Sequence, residues 1–473
     1  MRELYSHSFW SSVLTLTLGI LGSSCLPICW AFSRCGVVTG LLLSVVVAIS
    51  NAYTGNVVLV AAYVLKKSTY EGMCEAASSS KAWKVGAQIS LILLLFGTLA
   101  GDAALLADSG TKAIAHFEGS PYIPDWFLND SRYPMLLLTA VLVIPLSFTK
   151  HIKSLERAAV AGLLLIIGLI GIIMNSALSS GLPAIRNGEL PIFGLPSGTR
   201  GQIPAAFSVL SFAFYLQPML LPLLSEMPGG AEGLWIMCKA LRVVTLGIAL
   251  ATYSLLGFFG AARYGKDTAG DLLMNEWLPQ EYSGYLDAAM AAYLAISMAP
   301  IVVTMRYMLE SIGNNDSLDS SSNRLVYVRN TMASILLPTL VAAVFPKESA
   351  MIFAATGATA VCMISYIFPI GVHAYLYFGK SWRTRAYSEL DQWLVEDTNS
   401  HADSSCDMTE DRAKYPQYPS YHSLCEFTPC SRLIAILHHI ILPSLVLLIG
   451  LGSSLIALLV SIHSSNDRPL TFL

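Results

Sequence analysis

Eleven stretches of this chain, each 17 or more residues long, contain no Asp, Glu, Lys or Arg. They run Trp10 to Ser33, Cys35 to Leu65, Val85 to Gly101, Tyr133 to Thr149, Ala158 to Ile185, Gly201 to Ser225, Val243 to Ala262, Ala288 to Met305, Asn330 to Pro346, Ser349 to Gly379 and Leu433 to Ser465. A helix of about 20 apolar residues crosses the roughly 30 Å hydrocarbon layer of a bilayer. Inside that layer each backbone amide needs a partner from its own segment or from a closed barrel, and barrel strands would alternate polar with apolar. These runs do not alternate, so the sequence predicts an all-α integral membrane protein with eleven transmembrane helices.

Charged residues make up only 12% of the 473, against 54% apolar. That balance excludes a soluble enzyme, a nucleic-acid reader and a secreted disulfide scaffold. The lipid bilayer is the one partner it demands; nucleic acid is not a partner, and the sequence names no protein partner. Of nine cysteines, none is spaced C-x-x-C, so they read as reduced packing residues and no metal site is expected. The first apolar run exceeds a signal-peptide core and leads almost directly into the second, which makes it a retained span.

With the N-terminus in the cytosol, 19 Lys and Arg fall on the inner side and 9 on the outer. The positive-inside rule therefore predicts a cytosolic N-terminus and an extracellular or lumenal C-terminus. The sequon at Asn129 falls in an outer loop on that choice. Residues 380–431 read as a polar, flexible cytosolic loop with too few aliphatic side chains for a core. Lys66 to Lys84 reads as an amphipathic helix at the inner interface.

Two spans carry helix-breaking residues near their middles. The first reads Gly19-Ile20-Leu21-Gly22-Ser23-Ser24-Cys25-Leu26-Pro27, and the sixth reads Phe212-Ala213-Phe214-Tyr215-Leu216-Gln217-Pro218 with Pro222 beyond. Each opens one half of the first ten spans, about 10–185 and 201–379. Transporters with inverted repeats bind substrate between such a pair, where freed amides suit a carboxylate and freed carbonyls suit an ammonium or a cation. Gly22, Ser23, Ser24, Phe214 and Gln217 are the substrate-binding candidates on this argument.

These residues also carry a resemblance. Gly22-Ser23-Ser24-Cys25-Leu26-Pro27-Ile28-Cys29-Trp30, Thr69-Tyr70-Glu71, Leu105 to Asp108, Ile144-Pro145-Leu146-Ser147, Phe212 through Pro222 with Glu226-Met227, and Ala355-Thr356-Gly357-Ala358-Thr359 occur in an order similar to motifs of the amino acid/auxin permeases. That family includes sodium-coupled neutral amino-acid transporters and lysosomal relatives. The resemblance implies a transporter domain over 1–465, with a LeuT-like five-plus-five inverted repeat and an appended eleventh helix at about 433–465. It implies amino acids as substrates, secondary active transport by alternating access, and a plasma or vacuolar/lysosomal membrane. A receptor-like amino-acid sensor of the same fold and a sodium-coupled symporter are the competing readings. Catalytic residues and bound cofactors are not expected.

Two departures bear on the coupling ion. Gln217 stands where many relatives have His. In the eighth helix, Ile296 and Met298 stand where sodium-coupled members have Thr, leaving only Ser297 as an oxygen donor, and a hard cation needs oxygens. Asp102 is an acid in the third span, taken to lie about 9 Å below an outer end at Asp108. Asp102 and Ser297 are thus the coupling-ion candidates, and transport coupled to protons, or uncoupled, is expected in preference to sodium coupling. His373, the His438-His439 pair and the Arg306/Glu310 pair read as packing, interface or local ion-pair residues, and Tyr415 to Tyr421 as a regulatory piece without a readable mechanism.

Overall fold

The computed structural model describes residues 2–118, 132–148, 152–194, 196, 202–227, 230–313, 324–344, 349–378 and 441–466. Among these residues every regular element is helical and none is a strand. Eight helices among the described residues are long and apolar enough to cross a membrane. A ninth crossing is a pair bent by 58°, Ser8–Ile20 with Ser23–Cys35.

In chain order the elements are α1 (Arg2–Ile20), α2 (Ile28–Cys35), α3 (Val37–Leu65), α4 (Tyr70–Ser78), α5 (Lys81–Glu118), α6 (Arg132–Ser147), α7 (Ile152–Ser179), α8 (Ile203–Ala213), α9 (Gln217–Ser225), α10 (231–264), α11 (Gln280–Gly313), α12 (Arg324–Val344), α13 (349–378) and α14 (Leu442–Asn466). Hydrophobic residues on the outer faces, among them Leu42, Ile49, Ile89, Leu164, Leu337 and Leu448, remain exposed in the isolated chain. A soluble protein would bury such a belt, whereas a bilayer covers it.

The interior is built around α5 and α8. The long α5 packs against α11, α12 and α13, and α8 packs against α2, α13 and α14. Small residues allow this closeness: a Cβ at Gly357 would collide with the Ser208 carbonyl, so α13 lies directly on the backbone of α8. At that point α13 widens into a π-type segment, Gly357–Ile367. Such widenings free backbone groups and re-aim side chains.

The third span departs from the sequence expectation. It does not stop at Asp108 but runs through Glu118, so Asp102 lies 16 residues, about 24 Å, from the helix end. The physical reason is that the charges beyond Asp102 are met by protein. The Lys112 ammonium donates to the Leu273 carbonyl at 2.6 Å, and His116 stacks edge-on against Tyr285 of α11. A charge-free window undercounts any span whose charges have partners.

The expected helix within 66–84 forms as α4. The Thr69 hydroxyl caps it by accepting from the Gly72 amide at 3.2 Å. Its apolar residues Met73 and Cys74 are fully buried in the protein, and Tyr70 donates to the Ile364 carbonyl at 2.6 Å. The Asn129 sequon, the 380–431 loop, the tyrosine-rich piece and His438-His439 lie outside the described residues. The six described cysteines are free and buried.

Candidate functional site

Both mid-span breaks form where the sequence places them. After α1 the chain leaves the helix at Leu21 and Gly22, makes a single tight turn over Ser23–Cys25, and re-enters a helix after Pro27. Pro27 cannot donate an amide and so cannot continue the ladder from α1. After α8 the chain opens at Phe214 to Leu216 and restarts at Gln217, with Pro218 in the first helical turn.

One side chain joins the two breaks. The Tyr253 hydroxyl, on α10, lies 2.5 Å from the Ile20 carbonyl and 3.0 Å from the Ala213 carbonyl. These are the last residues of α1 and α8, whose carbonyls lose their helical partners at a break. A single phenol thus serves the C-terminal ends of both half-helices. The Ser24 hydroxyl also donates to Ile20 O at 3.2 Å. Phe214 is fully buried and meets the Tyr253 ring edge-on at 4.9 Å.

Gln217 is buried within a polar network rather than turned to open space. Its Oε1 accepts from the Leu216 amide at 3.0 Å and from the Ser365 hydroxyl at 2.9 Å. Its Nε2 donates to Asn51 Oδ1 at 3.0 Å and reaches Thr54 Oγ1 at 3.1 Å. Two donor hydrogens and two acceptor lone pairs are the full capacity of the amide. The network continues through Tyr366, whose hydroxyl lies 3.0 Å from Ser211 Oγ and 3.4 Å from Asn51 Nδ2. It ties α3, α8, α9 and α13 together below the second break.

Asp102 faces the first break. It is completely buried, and both carboxylate oxygens lack a hydrogen-bond partner. The Ser23 hydroxyl acts on it from the first break without completing a hydrogen bond, and Tyr215 of the second break and Tyr293 of α11 also lie in its field. A Cβ at Gly22 would meet nothing within 4 Å, so space opens beside the same turn. Asp102 thus lies beside Ser23 of the first break, and Phe214 lies beside the Tyr253 that meets both breaks. Ser297, on α11, donates to the Leu294 carbonyl of its own helix at 2.9 Å. Met298 is buried. No group of three or more His, Cys, Asp or Glu that could hold a metal occurs among the described residues.

A profile for the family described as transmembrane amino acid transporter protein matches residues 6–395. The chain belongs to that family. It is 24% identical over 436 residues to solute carrier family 38 member 10 of Pongo abelii, a match covering 86% of this chain and 36% of that protein. It is 23% identical over 382 residues to putative sodium-coupled neutral amino acid transporter 8 of Xenopus tropicalis, covering 77% of this chain and 83% of the relative. Human solute carrier family 38 member 8 is 24% identical over 268 residues, covering 56% and 60%. The chain spans about a third of the length of the member 10 protein of Pongo abelii.

Membership in the transmembrane amino acid transporter family bears out the resemblance read from the motifs. The family is one of transporters and not of enzymes, and this member is a multi-pass integral membrane protein. Within it, Tyr253 and the partners of Gln217 escaped the sequence reading. Tyr253 sits in an apolar run with no motif around it. Asn51 and Thr54 had one available signal, as uncharged hydrogen-bonding groups inside a span long enough to sit wholly in hydrocarbon. The Arg306–Glu310 pair is present at 3.9 Å, with the guanidinium over the Tyr327 ring at 4.3 Å.

Proposed function

We propose that this chain is a secondary active transporter of amino acids working by alternating access, coupled to protons or uncoupled. The observation that carries the proposal is the pair of broken helices joined by Tyr253, with the unpartnered Asp102 carboxyl facing the first break. A zwitterion between the breaks meets half-helix amides suited to its carboxylate and an acid suited to its ammonium. Gly22 supplies room, Ser23 and Ser24 supply hydroxyls, Phe214 walls the pocket, and Gln217 holds α9 in place.

The architecture proposed is eleven spans. The two shorter apolar helices, Arg132–Ser147 and α14, join the nine crossings, with a LeuT-like five-plus-five repeat and α14 appended. The breaks at corresponding places in the two halves support that repeat. The N-terminus is cytosolic, the C-terminus extracellular or lumenal, and the host membrane is the plasma membrane or a vacuolar or lysosomal one.

Asp102 is the proposed proton carrier. A carboxyl with no partner in hydrocarbon is costly when ionised, so its charge state is tied to which side the site faces. A sodium-coupled symporter is the second reading, favoured by the name of the Xenopus tropicalis relative. Against it stand Ile296 and Met298, which offer no side-chain oxygen and leave the Ser297 hydroxyl as the one side-chain oxygen at these three positions. A receptor of the same fold would bind without carrying.

Uptake of labelled amino acids into proteoliposomes under an inward proton or an inward sodium gradient, with Asp102→Asn beside the parent, tests the proposal. Proton-driven uptake lost in the variant is the expected result. Sodium-driven accumulation would overturn the coupling, and binding without uptake would overturn transport.

A further inference from the structure

The segment between α10 and α11, 265–279, carries no motif that the proposed function uses, yet much of it is buried. Leu272 and Leu273 are fully or nearly fully covered, and Trp277 is buried with its indole N–H donating to the Leu272 carbonyl at 2.7 Å. Asp271 caps this tight turn, its Oδ1 accepting from the Leu273 amide at 2.9 Å, and is itself only 2% exposed. The other oxygen, Oδ2, is buried with no partner. A buried capping carboxylate with one oxygen unsatisfied is a costly arrangement unless a proton occupies it.

Its surroundings make ionisation harder. Asp108 of α5 and Asp287 of α11 act on it as like charges, and both are themselves nearly buried. Among the described residues Lys112 is the cation set against Asp271, and it also serves Asp287 and the Leu273 carbonyl. From α5, His116 faces Asp287. From the first break, Cys25 lies within the field of Asp271. At the start of the segment Lys266 and Asp267 are exposed, as is Glu276 beyond the turn, and Arg34 is set against Asp267.

We propose that Asp108, Asp271 and Asp287 form a proton-dependent latch that holds the 265–279 segment down against α5 and α11 above the first helix break. With one proton among the three acids the segment stays seated. When that proton leaves, the unsatisfied carboxylate and its like-charged neighbour push the segment off into water. The latch lies on the face that the proposed topology makes extracellular or lumenal, and to that extent it rests on the reading above. It faces one side only, so its proton returns to the side it came from; the latch senses pH and does not carry the coupling proton.

The sign follows from linkage. Burial first, and Asp108 second, push the Asp271 carboxyl up to about 8 when the segment is seated, whereas an open segment returns it to water at about 3.9. Closing therefore takes up a proton between those values. The closed population rises by up to about tenfold for each unit of pH fall in that window, and levels off above it.

Backbone hydrogen exchange of residues 265–279, read by mass spectrometry on the purified full chain in lipid nanodiscs, tests this without requiring transport. Protection corrected for intrinsic exchange chemistry is compared at pH 6 and pH 8. The parent is expected to lose protection at pH 8, by up to about fiftyfold over the two units. Asp271→Asn keeps the acceptor for the Leu273 amide and cannot ionise, so it is expected to stay protected at both values. Asp108→Asn removes the second cause and leaves burial, so it is expected to move the loss of protection to lower pH than in the parent, which keeps the test open if the first variant misfolds. A parent whose corrected protection is the same at both pH values overturns the latch, as does Asp271→Asn with the parent's slope. A chain that binds but does not transport would still show the response, so failure of the latch and failure of the transporter proposal are separable.

Discussion

The hydroxyl of Tyr253 stands 2.5 Å from the carbonyl of Ile20, the last residue before the first helix break. The same oxygen is 3.0 Å from Ala213 O at the second break. The relationship fixes the ends of two half-helices from different halves of the chain to one atom on α10. Any motion that separates those ends must break one of the two contacts, which makes the phenol a sensor of the distance between the breaks.

Tyr253→Phe keeps the ring against Phe214 and removes only the oxygen. Two buried carbonyls then share one fewer donor, at a cost of about 1 to 3 kcal/mol. The expected outcome is an inserted protein with lowered thermal stability and slower amino-acid uptake. Thermal unfolding monitored beside uptake in vesicles checks it; unchanged values in both would remove the bridge from the mechanism.

Gln217→Ala strips four contacts from one site and leaves Asn51, Thr54 and Ser365 to find other partners. Apparent substrate affinity is expected to weaken by roughly 1 to 3 kcal/mol as α9 loosens. Pairing the change with Asn51→Ala in a double-mutant cycle should give a coupling energy of about 0.5 to 3 kcal/mol, because the two amides share one network. Additive effects would mean that the 3.0 Å contact between them does not matter to binding.

Gly22→Val places a side chain where a Cβ meets nothing within 4 Å. No neighbour is displaced, so the variant is expected to insert and remain stable while uptake is abolished, the added methyls occupying the space beside the turn. Substrate affinity measured on the purified variant decides the point. Parent-like affinity would move the substrate elsewhere.

Topology is checked by reporters. One fused after Leu473 is expected on the extracellular or lumenal side and one inserted near Ser404 in the cytosol, since a single helix, α14, separates them. Both on one side would rule out an odd number of spans.

Read as a string of residues, this protein already declared its solvent. Long runs without charge can be satisfied only by helices in lipid, and the clusters around Gly22 to Pro27 and Gln217-Pro218 marked where two of those helices open, because the effect of such residues on the backbone is local, although Pro300 and Pro338 sit inside unbroken helices. The family motifs were legible for the same reason, being short and contiguous. The extent of the third span was not, because whether Asp108 and Lys112 end a helix depends on the segment 265–279 folding back to meet them. Nor could the sequence say that Gln217 would be saturated by Asn51, Thr54 and Ser365, or that Tyr253 would reach both breaks. A hydrogen bond between residues 233 positions apart in the chain has no local signature. Backbone breaks are favoured by local residue geometry, whereas the partners of buried polar groups follow from which helices pack together, and that was decided only in the folded bundle.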